Sequence, residues 1–517
     1  MREAGGSAVG DTDHVRLGIV VFLAGAGTLA TEIGASRLLA PYFGSSTVVW
    51  ANIIGLILAY LALGFWLGGR IADRHPSQQL LGRIILVAAL LVAATPFAAR
   101  PLLRLALEGF DSVAAGEVVG SFLGALLLFA LPVTLLGMVS PFALRLAVRD
   151  VSTAGTVAGR LYALSTAGSI AGTFVAALIA IPLIGTQRTF IATAALLALA
   201  AAALLPRRWL AVAVALGLLL VLPAGAVKAQ TGLLYEHESR YQFVQVLRQP
   251  DGARVLRLNE GVAVHSVWRA DTVLTGGYWD LFGLLPPLLA RPARTMLVIG
   301  NAGGTIPRAY GRFYPRVAID GVELDPAVSE AGRRFLGLGD NPRLDVVTAD
   351  GRPFLERTSH RYDLIVVDAY RQPYVPFYLA TKEFFALARR HLEPGGIVAL
   401  NVAATPDDRR LTRALAASIA AGGFAQAWTW PALRFNDLLL GLTRPATRDE
   451  LLRRADAAPA ALRPLLPLLR DELVRARTAG EPLTDDRAPV EWLTDRMIFE
   501  AIARGDGLDE RALPTAP

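Results

Sequence analysis

The stretch that decides the fold of the second half of this chain is RTMLVIGNAGGT, residues 294–305. It joins a short, mostly apolar run at 295–299 to a glycine-rich turn at 300–304. A buried strand that ends in glycines is typical of a parallel sheet that binds a nucleoside, because a backbone without Cβ atoms can approach a ligand closely. One such turn is weak evidence by itself, so the segments after it decide the interpretation.

Further apolar runs follow in order, and acidic residues stand at or just after the ends of three of them. The predicted strands are 295–299, 317–323, 345–347, 364–367 and 397–402. The acids are Glu323, Asp350 and Asp368. Glu323 comes about 20 residues after the glycines, where an acid can accept hydrogen bonds from both hydroxyls of a ribose. The pattern predicts an α/β doubly wound, Rossmann-like domain of the methyltransferase type.

Upstream of this domain, residues 235–273 alternate apolar and polar residues between turn signals, which predicts a small antiparallel β-sheet. The expected division is a transmembrane helical domain over 1–230, a β-sheet subdomain over 231–292, a nucleoside-binding catalytic domain over 293–445 and a helical extension over 446–517. The extension combines helical periodicity with mixed charge, so we expect a solvated cap.

The first 230 residues are rich in long apolar segments. Hydrophobic residues make up 53% of the whole chain and charged residues only 18%, which is unusual for a soluble protein. A helix needs about 20 apolar residues to span a bilayer. The sequence predicts an α-helical transmembrane bundle of about seven spans, near 17–40, 47–70, 82–99, 118–139, 160–184, 187–205 and 208–226.

Basic residues exceed acidic ones mainly in this first part, with 15 Lys and Arg against 9 Asp and Glu. The remainder is nearly balanced, so the pI of 9.8 arises in loops between spans and does not indicate nucleic-acid binding. Ten arginines in the loops on one side against four on the other place the N-terminus in the cytoplasm, as in a multi-pass protein of a bacterial inner (cell) membrane. Seven spans would put the C-terminal domain outside, away from a cytosolic cofactor, so its side stays open.

Cysteine is absent, which excludes disulfides and a thiolate nucleophile. The six histidines are dispersed without metal-ligand spacing, so we expect no metal.

The second half resembles the spermidine synthase (polyamine aminopropyltransferase) family over about 235–445. The matching segments are Tyr241-Gln242, Leu258-Asn259-Glu260-Gly261, Tyr278-Trp279-Asp280 and LATKEFF at 379–385. A membrane region fused to such a domain also resembles bacterial proteins described as fused transporter-like spermidine synthases.

This resemblance implies a nucleoside site and a catalytic acid. Glu323 would bind the ribose, and Asp350 with Gly351 would bind the adenine. Gln242 would contact the nucleoside from the small sheet, and the turn glycines Gly300, Gly303 and Gly304 would pass beneath it. Asp368 would be the general base. The co-substrate would be decarboxylated or intact S-adenosylmethionine, the acceptor an amine such as putrescine, and the assembly a homodimer.

Two departures from the family concern the amine half of the site. Ala302 replaces the acid of the glycine turn, and Arg371 replaces the second acid of the family's Asp-x-x-Asp. The residues expected to line the acceptor pocket are Tyr278, Asp280, Tyr370, Arg371 and Tyr378. For the tyrosines of the loop after Asp368, ordinary packing is an equal alternative.

Two other functions therefore stay open. One is a transferase that uses intact S-adenosylmethionine with a non-polyamine acceptor. The other is a transporter or sensor whose soluble domain binds the nucleoside without turnover.

Overall fold

A computed structural model describes residues 7–43, 47–108, 121–221, 230–259, 263–370, 374–433 and 435–504. The chain forms two compact units, Met1–Ala229 with Glu238–Phe243, and Gln230–His237 with Val244–Pro517.

The first unit is helical and built from apolar sequences. Its α-helices are α1 (Ser7–Phe43), α2 (Thr47–Arg74), α3 (Gln78–Glu108), α4 (Ser121–Gly137), α5 (Val139–Ala147), α6 (Ala154–Val175), α7 (Ile181–Ala202) and α8 (Leu210–Leu219). Many of their large apolar side chains remain exposed, as expected when lipid covers a helix surface.

Small residues bring these helices into close contact. A Cβ atom on Gly168 would lie 2.0 Å from the carbonyl oxygen of Phe22, and one on Gly172 would lie 2.1 Å from that of Ala26. Backbones approach this closely only where the facing residue has no side chain. The glycines of α6 are therefore a packing surface for α1.

Five helical stretches among the described residues are long and apolar enough to cross a membrane. One of them, Val151–Ala202, has 52 residues, more than twice the length that a bilayer needs. It breaks at Gly185, whose φ of 80° and ψ of 164° are not helical. Along α1, the residue numbers of the contacting residues rise in α6 and fall in α7. Helices α6 and α7 therefore run in opposite directions. The pairs are Gly18 with Leu164, Ala26 with Gly172, Gly27 with Leu197 and Gly34 with Phe190.

The count of seven spans remains a prediction. The fourth predicted segment begins in 109–120, outside the described residues, and the described helix starts at Ser121. The seventh corresponds to α8, of which ten residues are helical before the chain reaches 222–229, also outside the described residues.

The second unit contains the predicted small antiparallel sheet. Its strands follow each other in order as β1 (Leu233–Glu238), β2 (Phe243–Arg248), β3 (Arg254–Leu258) and β4 (Val264–Trp268). Apolar side chains of β2 and β3, Val244 and Leu256 among them, pack against Val328 and Leu336. This contact fixes the small sheet against the helix that contains Val328.

Among the described residues, the main sheet has eight strands, which are β5 (Thr295–Ile299), β6 (Ala318–Glu323), β7 (Leu344–Thr348), β8 (Tyr362–Val367), β9 (Leu392–Ala403), β10 (Gln426–Leu433), β11 (Asn436–Leu442) and β12 (Val474–Arg475). Their order in the sheet is β12-β10-β11-β9-β8-β5-β6-β7. Strands β5 to β9 pair in parallel, and β11 enters antiparallel beside β9. The predicted five-strand Rossmann-like core is confirmed.

Helices cover both faces of this sheet. They are α9 (Trp279–Phe282), α10 (Leu285–Leu288), α11 (Thr305–Phe313), α12 (Pro326–Phe335), α13 (Gly351–Arg357), α14 (Lys382–Arg390), α15 (Arg410–Ala421), α16 (Arg448–Ala455), α17 (Leu466–Glu472) and α18 (Val490–Ala503). Two apolar cores result, one on each face.

The C-terminal extension is more than a solvated cap. Leu451, Leu462 and Leu469 are fully buried and belong to the core that contains Leu440 of β11. The short strand β12 also pairs with β10. Helical periodicity and mixed charge did not predict the burial of these leucines, because arginines are interspersed among them in the sequence.

Candidate functional site

The glycine turn stands at the carboxyl end of β5 with a left-handed backbone. Gly300 has a φ of 86°, Ala302 of 46° and Gly304 of 87°. A Cβ atom on Gly300 would lie 2.6 Å from the backbone nitrogen of Ala369. Cβ atoms on Gly303 and Gly304 would lie 2.4 Å from leucine side chains. The left-handed backbone therefore favours glycine at Gly300 and Gly304, and Gly300 also meets the Ala369 backbone, whether or not a ligand lies above the turn. The leucine methyl group beside Gly303 can move.

Glu323, at the end of β6, lies directly beside this turn. Its two carboxylate oxygens accept backbone hydrogen bonds from Ala302 at 2.8 Å and from Asp325 at 3.1 Å. The side chain is buried, and burial raises its pKa to about 7. Each carboxylate oxygen keeps a second lone pair, so the group can still accept from two hydroxyls.

Asp350 follows β7 and caps the first turn of α13. One oxygen accepts from the backbone of Arg352 at 3.1 Å, and the other accepts from the hydroxyl of Tyr378 at 2.9 Å. The next residue, Gly351, has no space for a side chain, because a Cβ atom would lie 2.2 Å from Ile299. Asp350 and the end of β5 are thus held together at one edge of the sheet.

Asp368 stands at the carboxyl end of β8 and receives several hydrogen bonds. The Tyr278 hydroxyl lies 3.0 and 3.1 Å from its two oxygens, the Asn401 amide nitrogen lies 3.1 Å away, and the Trp279 side chain also donates. Burial nevertheless raises the pKa of Asp368 to about 7, although these donors oppose the rise. A carboxylate with this pKa exchanges protons near neutral pH.

Asn401 and Asn436 complete this arrangement and were not predicted. The Asn401 oxygen accepts from the Asn436 amide at 2.8 Å, so its nitrogen points to Asp368. The Tyr370 hydroxyl donates to the backbone oxygen of Asn401. One signal was available in the sequence, since Asn401 interrupts an otherwise apolar strand. Asn436 lies on a hairpin strand that no motif identifies.

Comparisons with known proteins identify a family for part of this chain. Residues 281–417 match the model of the spermine/spermidine synthase domain. The chain contains a spermidine synthase domain. It is 32% identical over 294 residues to a probable polyamine aminopropyl transferase of Bifidobacterium longum, covering 53% of this chain and 65% of that protein. It is 30% identical over 183 residues to a polyamine aminopropyltransferase of Vibrio vulnificus, covering 34% and 61%. The chain thus spans less than two thirds of each relative.

Two solved structures are also similar to part of this chain. A probable spermidine synthase from Corynebacterium glutamicum covers 50% of this chain and 97% of its own, with 16% identity and a TM-score of 0.39. The spermidine synthase from Thermotoga maritima covers 42% and 75%, with 18% identity and a TM-score of 0.34.

The hydrogen bonds of the described residues do not support the predicted roles of three residues, Asp280, Arg371 and Gln242. Asp280 is buried, and its carboxylate accepts from Thr275 and Gly276 within its own loop at 2.8–3.0 Å. Arg371 lies outside the described residues. Gln242 belongs to the segment that clusters with the first unit, where its backbone bonds Ser239. The predicted roles of these three residues remain predictions.

Within the described ranges, no three His, Cys, Asp or Glu residues are grouped so that they could hold a metal ion. The carboxylates of the spermidine synthase domain at Glu323 and Asp368 are instead surrounded by hydrogen-bond donors.

Proposed function

We propose that the chain is a membrane-anchored aminopropyltransferase similar to spermidine synthases. It would transfer the aminopropyl group of decarboxylated S-adenosylmethionine to an amine acceptor, with putrescine as the first candidate. The observation that carries this proposal is Asp368, a carboxylate with a pKa of about 7 at the end of β8. It supports proton transfer at the position where ligands of doubly wound sheets bind.

The residues of the nucleoside half fit an adenosyl co-substrate. Glu323 is a buried carboxylate. Among the described residues, the groups that donate hydrogen bonds to it are backbone N–H groups. Two ribose hydroxyls would supply the donors that its remaining lone pairs lack. Asp350 stands at the end of the next strand, where it would accept from the adenine amino group.

Asp368 would act as the general base in the transfer. The amine nitrogen forms a bond to the methylene carbon beside the sulfonium while the carbon–sulfur bond breaks. Methylthioadenosine leaves with the electron pair of that bond, and the proton of the amine passes to Asp368. Tyr278 and Asn401 hold the carboxylate in place, so the protein contributes orientation and proton transfer.

The amine half of the site favours a second candidate as well. The family's acid for the aminopropyl ammonium is Ala302 here, whose backbone nitrogen bonds Glu323. A transferase that uses intact S-adenosylmethionine and a non-polyamine acceptor would not need that acid. The bilayer as partner, the inner (cell) membrane as location and a homodimer belong to the same proposal.

The test compares wild-type protein with Asp368→Asn in detergent, using either sulfonium co-substrate and putrescine. Asp345→Asn, at an exposed position of β7, serves as the control. We expect methylthioadenosine from the decarboxylated co-substrate, a loss of about a thousand-fold in Asp368→Asn, and unchanged binding of methylthioadenosine.

Formation of S-adenosylhomocysteine from the intact co-substrate would establish the second candidate. Wild-type protein that binds methylthioadenosine and transfers nothing to any amine would overturn the enzyme proposal and favour a transporter or sensor.

A further inference from the structure

The loop that follows β8 carries residues of both halves of the site. It begins at Asp368, and its residues 374–379 pack into the core on one face of the sheet through Val375 and Leu379. Tyr378 of this loop donates its hydroxyl to Asp350 at 2.9 Å. The position of the loop therefore decides where the Asp350 carboxylate points.

A segment far along the chain binds this loop at its C-terminal end. Asp485 accepts two hydrogen bonds from the guanidinium of Arg352, at 2.7 and 2.6 Å, and one from the Thr381 hydroxyl at 2.7 Å. The same guanidinium donates to the backbone oxygen of Tyr378 at 3.1 Å. Two parallel hydrogen bonds between a guanidinium and a carboxylate fix the orientation of the guanidinium as well as its distance. Asp485 therefore orients Arg352 and, through the bond to its backbone oxygen, Tyr378.

The same segment binds the other end of the described loop. The buried Tyr374 donates its hydroxyl to Asp495 of α18, which is partly buried. Leu483 and Val490 pack in the core that also contains Val375. Leu483, Asp485, Val490 and Asp495 all lie beyond residue 417, where the match to the spermidine synthase domain ends.

We propose that residues 483–495, here termed the C-terminal clamp, position the nucleoside site from outside the family domain. Asp485 and Asp495 hold the two ends of residues 374–379, so that the Tyr378 hydroxyl keeps Asp350 in its binding orientation. The inference rests on the proposed function, because Asp350 is assigned to the nucleoside there. Asp485 and Asp495 are positioning residues and touch no substrate in this assignment.

The test measures methylthioadenosine binding by titration calorimetry and hydrogen exchange of the peptide that contains residues 374–381. The variants are Asp485→Asn, Tyr378→Phe and the double variant. Glu481→Gln is the matched control, because Glu481 lies just before the clamp and forms an exposed ion pair with Arg487.

We expect the Kd to rise about five-fold in Asp485→Asn, as for the loss of one hydrogen bond, with faster exchange in the loop peptide. The double variant should bind no more weakly than Tyr378→Phe, since Asp485 acts through Tyr378. In turnover, KM for the nucleoside co-substrate should rise while kcat stays within about two-fold. Glu481→Gln should resemble wild type in every measurement.

An unchanged Kd in Asp485→Asn, or effects that add in the double variant, would overturn the clamp. Failure of the proposed function looks different, because wild-type protein would then transfer nothing to any amine, while the binding comparison between the variants still tests the clamp. If wild-type protein binds no nucleoside either, hydrogen exchange decides alone, and unchanged exchange at 374–381 in Asp485→Asn refutes the clamp.

Discussion

Replacing Asn401 with leucine removes one donor from Asp368 and should move the pH dependence of turnover. Leucine has nearly the same volume, so the change removes the amide nitrogen 3.1 Å from the carboxylate without leaving a large cavity. A hydrogen bond to a charged group contributes about 1.5 to 3 kcal/mol, and 1.36 kcal/mol corresponds to one pH unit. We expect the pKa of Asp368 to rise by about one pH unit or more.

The expected activity follows from the fraction of Asp368 that is ionised. Wild-type Asp368, with a pKa of about 7, is about half ionised at pH 7. After a rise of about one pH unit, only about a tenth is ionised, which lowers the rate about five-fold at pH 7. At pH 9 both proteins are largely ionised, and their rates should agree within about two-fold.

The assay is release of methylthioadenosine between pH 5.5 and 9.5, expressed as the ratio of variant to wild type. The ratio cancels the titration of the acceptor amine, which is common to both proteins. Thr412→Val is the control, since Thr412 is buried and donates its hydroxyl to Asp437. A ratio for Asn401→Leu that does not change with pH would refute Asp368 as the titrating base.

Two further predictions concern stability. Because the folded pKa of Asp368 lies above its ordinary 3.8, the folded state retains a proton that the unfolded state releases, and stability falls as pH rises from about 4 to about 7. Asp368→Asn should therefore raise the unfolding free energy of the unliganded protein by about 4 kcal/mol at pH 8 and leave it nearly unchanged near pH 4, measured by denaturant titration; equal effects at both values would contradict the buried charge. Gly300→Ala should cost about 3 kcal/mol, since its Cβ meets the Ala369 backbone at a φ of 86°, whereas Gly339→Ala, with open space around it, should change stability by less than about 1 kcal/mol in the same titration.

The sequence predicted the parts of the fold that depend on local periodicity. Apolar runs ending in glycine or acid located the five parallel strands, and Glu323, Asp350 and Asp368 stand at their ends as predicted. These features are visible because each strand carries its own signal. The acid at 323 and the glycines at 300–304 also meet in space, as their separation of about 20 residues indicates.

The remainder depends on contacts between distant segments. Asn436 reaches Asn401 only because β11 inserts antiparallel beside β9, and no local pattern specifies that register. Asp280 was predicted for the acceptor pocket from the resemblance of Tyr278-Trp279-Asp280 to the family, and that motif does not show that its oxygens accept from the Thr275–Gly276 loop. Leucines of the extension appeared solvated among arginines, although they fill the core beneath β11.

The antiparallel entry of β11 has a consequence for synthesis on the ribosome. The chain leaves the ribosome from its N-terminus, so Asp368 and its strand emerge before residue 436 exists. A nascent chain that ends at residue 417 contains all five parallel strands and none of β11. The environment of Asp368 is thus completed only after translation has passed the hairpin, and the clamp residues follow later still. Prematurely terminated products should be able to form the core of the sheet and remain unable to act on substrate.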